Sequence, residues 1–158
     1  MSPLFKKLNL KTQTEILVLN APESFESELT RLEKVTVQRN IDAVEQIEFS
    51  LAFVSKQEEV NLFANAIASL VKGDALVWFA YPKKSSKRYQ CEFNRDTGWD
   101  VLGELGFEAV RQVAIDEDWS ALRFRRVEFI KKMVRDKSRA MTKKGKQRLA
   151  DQEAKTND

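Results

Sequence analysis

The chain has 158 residues, 42% of them apolar and 32% charged, with a net charge of +3. That composition suggests one domain with its own core plus a tail. It contains no histidine and a single cysteine, Cys91. This excludes His-based acid–base catalysis, His-activated nucleophiles, His metal sites and a four-cysteine zinc site. Lys, Asp, Glu, Tyr and Ser remain as candidate catalysts, and oxygen-ligated Mg-type sites stay open.

No apolar run approaches the ~20 residues of a membrane helix. The N-terminal residues MSPLFKK lack the apolar core and cleavage site of a secretory signal. With one cysteine, these features favour the cytoplasm. The charge is unevenly placed. Residues 131–148 hold nine Lys and Arg against one Asp, a net of +8, whereas residues 1–130 hold 17 against 20, a net of −3. The basic character therefore belongs to the tail.

In chain order, residues 1–13 read as a mobile or loosely docked arm carrying Leu4, Phe5 and Leu8. Residues 15–20 (EILVLN) form a short buried strand, ended by Ala21 and Pro22. Ser24 is placed to cap a helix to about Glu33, with Phe25, Leu29 and Leu32 on one face. Residues 34–39 alternate β-branched and polar side chains, which predicts a half-exposed strand near an edge. Residues 40–46 are ambiguous. Residues 47–54 form a third strand.

Ser55 and Glu58 have capping-box spacing for the longest helix, whose apolar face runs from Val60 to Val71. Gly73 would end that helix. Residues 73–82 (GDALVWFAYP) are a continuous apolar run closed by Pro82. They predict an interior parallel strand buried on both faces. A basic loop follows, then a short helix capped by Asn94 or Asp96 and bearing Val101, Leu102 and Leu105. Residues 107–115 and 119–127 are two strands joined by an acidic turn too short for a crossover, hence an antiparallel hairpin. The expected architecture is α/β: a three-layer, Rossmann-like sandwich with a mostly parallel sheet of about six strands and an antiparallel C-terminal hairpin. The expected divisions are an arm (1–13), one α/β domain (14–130) and a basic, partly disordered or helical tail (131–158).

The order of the second half resembles the C-terminal half of class I methyltransferase sheets, which also end in a reversed hairpin. Residues 114–125 (AIDEDWSALRFR), with Tyr81, Pro82 and Lys83 upstream, resemble a bacterial domain family of unknown function over about residues 14–127. The methyltransferase pattern implies glycines directly after the first strand, for close approach of the backbone to a cofactor. Here Asn20, Ala21, Pro22 and Glu23 stand in their place, and the acidic residue expected after the second strand is replaced by Gln38, Arg39 and Asn40. No Gly-rich phosphate loop or dinucleotide fingerprint exists in the chain. The fold comparison stands while the activity is in doubt, and no cofactor is expected.

Ligands of open α/β sheets bind beyond the carboxyl ends of the parallel strands. That rim would comprise Asn20, Glu23, Ser55, Lys83, Lys84, Lys87, Arg88 and Tyr89, and its lysines could hold a phosphate or carboxylate. The alternative is a solvated basic loop. Trp119, Arg123 and Arg125 share one strand face and could receive an anionic ligand or partner, or could pair with neighbouring acids. Asp116, Glu117 and Asp118 read as a polar turn rather than a metal site, because one turn supplies too few ligands. Cys91 reads as a small side chain. In the tail, Lys131, Lys132, Arg135, Lys137, Arg139, Lys143, Lys144, Lys146 and Arg148 could contact nucleic-acid phosphates, with no interleaved aromatics to read bases. The leading reading is a non-catalytic binding or regulatory module. The alternatives are a degenerate methyltransferase-like enzyme working at the rim, and a nucleic-acid-associated protein acting through the tail.

Overall fold

A computed structural model describes residues 2–130. The chain begins with α1 (Pro3–Lys7), β1 (Glu15–Leu19), α2 (Glu26–Thr30), β2 (Thr36–Gln38) and β3 (Ile47–Phe53). It continues through α3 (Gln57–Ala68), β4 (Val71–Pro82), α4 (Asp100–Glu104), β5 (Phe107–Ala114) and β6 (Trp119–Arg126). One six-stranded sheet runs in the order β2-β1-β3-β4-β6-β5. The β2-β1-β3-β4 half is parallel, and β6 is antiparallel to both β4 and β5. This is the expected Rossmann-like sheet with its reversed C-terminal hairpin.

The apolar run in β4 is buried from Ala75 to Pro82. Alternate side chains enter two cores. Val77, Phe79 and Tyr81 pack with residues of α3 and α4, whereas Leu76, Trp78 and Ala80 pack with residues of α1 and α2. The expected burial on both faces is present, but β4 is parallel only on its β3 side. β6 is an interior strand too, and β5 closes that edge.

The N-terminal arm is docked rather than loose. Ser2 Oγ accepts from the Phe5 amide at 3.2 Å, which caps α1 with Pro3 in its first turn. Phe5 and Leu8 are then fully buried, and the Trp78 indole donates to the Leu8 carbonyl at 2.9 Å. Phe5, Leu8 and Leu10 of the arm are buried in one cluster.

Several boundaries move for local reasons. The helix expected over 24–33 is a 3-10 turn (Glu23–Phe25) leading into the five residues of α2. α3 begins one residue later than Ser55 predicts: the carboxylate that closes its first turn is Glu59, not Glu58. Gly73 does not end α3, which stops at Ala68. It lies inside β4 at φ +59°, where pairing with β3 jumps from Val71 to Leu76. Glycine relieves the left-handed backbone of that bulge. Neither Asn94 nor Asp96 caps α4. Asn94 instead folds its own turn, accepting from the amides of Asp96 and Thr97.

Candidate functional site

The strand order reverses between β1 and β3, and the carboxyl ends of these strands form the topological switch point. Asn20 ends β1 in a left-handed conformation, φ +60°, which asparagine tolerates better than most residues. Its Nδ2 donates to the Phe53 carbonyl at 2.9 Å and to Glu59 Oε2 at 2.8 Å. Glu59 Oε1 accepts from the amides of Ser55 and Lys56 at 2.9 and 3.0 Å. Both Asn20 amide hydrogens and both Glu59 oxygens are therefore engaged within the chain. β1 is laced to β3 across the place where a ligand would enter.

Beneath this lock the space is filled by rings. Phe25 lies 4.8 Å from Phe53, Phe53 lies 5.1 Å from Trp119, and Trp119 lies 4.9 Å from Tyr89, centroid to centroid. Trp119 is buried, so the indole expected on a ligand face is core. Tyr89 covers it from the 82–90 loop, which Ser86 ties to Asp118 Oδ1 at 2.8 Å. Lys83 donates its backbone amide to the Asp118 carbonyl, and Glu23, Lys84, Lys87 and Arg88 are exposed. The structure thus brings Asn20 and Ser55 together through Glu59, and it puts Tyr89 in a packing role. Asp116 caps its own turn, accepting from the amides of Asp118 and Trp119. Among the described residues no His, Cys, Asp or Glu group could hold a metal ion. Burial pushes the Cys91 thiol above its ordinary range, so it is a poor nucleophile near neutrality.

The arginines of β6 separate into three environments. Arg125 makes a bidentate pair with Asp74, at 2.8 and 2.6 Å, and this raises its pKa. Gly73 shapes the bulge that presents Asp74. Arg126, on the other face, lies over the Phe107 ring at 4.8 Å and donates to the Ala68 carbonyl. Arg123 is half-buried, and its Nε is buried without a hydrogen-bond partner. Burial, then the charge of Arg125, pulls its pKa down. Its cross-strand partner is another arginine, Arg111, which is exposed.

Sequence reasoning missed Glu59, Asp74 and Arg111. Glu59 was masked by the better-looking Ser55–Glu58 spacing. Arg111 matters only through cross-strand register, and Asp74 only through its ion pair with Arg125, 51 residues away. The tail cations from Lys131 to Arg148 lie outside the described residues. Within those residues, no helix is long and apolar enough to cross a membrane.

No family model matches the chain, so the resemblance to a bacterial domain family finds no support there, and no curated protein matches. Among solved structures, the N-methyltransferase NodS from Bradyrhizobium japonicum is similar at TM-score 0.47 and 13% identity, over 78% of this chain and 92% of that one. TrmN from Thermus thermophilus is similar at 0.49 and 10%, over 78% of this chain and 46% of its own. The fibrillarin pre-rRNA processing protein of Methanococcus jannaschii is similar at 0.47 and 11%, over 80% and 70%. Each of these TM-scores is below 0.5, so the fold assignment rests on the sheet topology itself. Likeness this distant says nothing about activity.

Proposed function

We propose that this domain is a non-catalytic binding or regulatory module that uses no nucleotide cofactor at its switch point. The observation that supports this is the commitment of Asn20 and Glu59 to each other and to the strand ends. A cofactor at the switch point would need hydrogen-bonding groups aimed outward and backbone free to approach it. At this rim Asn20 and Glu59 face one another and aromatic rings fill the space below, with Trp119 Nε1 buried among them without a partner. The direct test is calorimetric titration with S-adenosylmethionine, ATP and NAD. No saturable heat is expected. Saturable binding of S-adenosylmethionine that Asn20→Ala abolishes would overturn this reading in favour of the methyltransferase-like alternative.

A second reading rests on the +8 segment, residues 131–148. Clustered Lys and Arg bind phosphate backbones through counterion release. Deleting residues 131–158 should then remove nucleic-acid binding at fixed salt, and binding that survives the deletion would eliminate it.

A further inference from the structure

We propose that Arg111 and Arg123 form a seat for a single phosphate-type oxyanion on the outer half of the sheet. The two residues are direct cross-strand partners, and Arg123 is likewise paired with Trp78 on β4. Antiparallel partners point to the same face. Trp78, Arg123 and Arg111 therefore stand in one row that passes from fully buried through half-buried to exposed.

Like charges directly opposite one another destabilise a strand pair. Among the described residues neither guanidinium has an ion pair, and Arg123 Nε is buried without an acceptor. An uncompensated buried donor next to a second cation is the arrangement an anion relieves. Asp74 acts electrostatically on Arg123, but Arg125 already holds both its oxygens, and the buried acid on this face, Glu108, stands opposite Arg125 and has an interaction of its own. Guanidinium forks match the oxygens of phosphate, and the buried side of the row lowers the local dielectric, which strengthens the contact.

The surroundings limit the ligand to one anionic group. On this face of β6 the flanking residues are Ala121, which is buried, and Arg125, which is neutralised. On β5 the flanking residues of this face are Val113 and Glu108, both buried, with Glu108 opposite Arg125. A polyanion would need a track of cations, and among the described residues this face flanks the pair with Ala121, Val113 and the already paired Arg125. The proposal is independent of the rim. A failure with phosphate leaves the closed switch point standing, and a cofactor found at the rim leaves this seat standing.

The test follows the arginine Nε–H signals by nitrogen-15 NMR while inorganic phosphate is added to the full chain. A phosphoserine peptide and a short single-stranded oligonucleotide are titrated in parallel. Arg111 and Arg123 should shift saturably with phosphate while Arg39, paired to Glu26 on the far side of the sheet, stays fixed. Arg111→Gln should weaken phosphate binding about tenfold or more. Tighter binding of the peptide would identify a phosphorylated protein as the source of the group, and equal binding would identify free phosphate. Arg123→Gln should act as Arg111→Gln does. If it fails to fold, the exposed Arg111 still decides the matter. Absence of a saturable shift, or phosphate affinity unchanged in Arg111→Gln, would overturn the proposal. So would an oligonucleotide that displaces phosphate equally well from Arg111→Gln.

Discussion

Two places on the sheet, the carboxyl ends of β1 and β3 and the Arg111–Arg123 pair, treat their polar groups in opposite ways. At the carboxyl ends of β1 and β3, every hydrogen of the Asn20 amide and both oxygens of Glu59 are satisfied inside the chain. On β5 and β6, two arginines face each other and one of them keeps an orphaned buried nitrogen. Where polar groups close on themselves they stabilise the fold. Where they are left open they are available to a ligand. In this chain the usual ligand position of an α/β sheet is the closed one, and the reversed hairpin carries the open one.

The largest effect should come from Trp119→Ala. The ring is buried between Phe53 and Tyr89, so the loss should be roughly 3–5 kcal/mol in chemical denaturation. A near-neutral result would mean that the indole serves a ligand rather than the core. Asn20→Ala removes two donated hydrogen bonds and places alanine in a left-handed conformation. It should cost roughly 1–3 kcal/mol. An unchanged midpoint would show that the lock contributes nothing and that the rim is open to other occupants.

Smaller effects sharpen the arginine side. Asp74→Asn breaks the pair with Arg125, whose side chains are about a third exposed, so the change should stay under about 1 kcal/mol. It should also tighten phosphate binding at Arg123, because a carboxylate that acts on that guanidinium is gone. Weaker phosphate binding would show that Asp74 organises the seat rather than competing for it. The smallest effect concerns Cys91. Its pKa is raised in the folded state by burial, so the folded form favours the neutral thiol. That contribution is fully present below the unfolded thiol pKa and is lost as pH rises through the folded one. Alkylation by iodoacetamide should be slow at neutral pH and speed up on unfolding. Equal rates in the folded and unfolded chain would contradict the burial.

Much of this was legible in the sequence, for identifiable reasons. The run from Ala75 to Pro82 is apolar at every position, and only a strand covered on both faces takes such a run. The hairpin followed from the short turn at 116–118. The arm was misread because Phe5, Leu8 and Leu10 are spaced for neither a long helix nor a strand. Their burial depends on a cap by Ser2 and on a distant indole, Trp78. The candidate sites were harder. Trp119, Arg123 and Arg125 do share a face by alternation, but alternation along one strand does not tell which neighbours stand opposite. Register places Arg111 against Arg123, ring packing places Phe53 and Tyr89 against Trp119, and an ion pair joins Asp74 to Arg125. These assignments turn one expected site into a core residue, an ion pair and an unpaired cation. Likewise, nothing local marks Glu59 as the partner of Asn20, which lies 39 residues earlier.

The most direct measurement is a single nitrogen-15 spectrum of the full chain, recorded with and without inorganic phosphate, that reads the Asn20 amide and the arginine Nε–H groups together. The contrast between a closed rim and an open arginine face predicts saturable shifts at Arg111 and Arg123 with the Asn20 signal unmoved. Movement of Asn20 while both arginines stay fixed would contradict it and would return the ligand to the switch point.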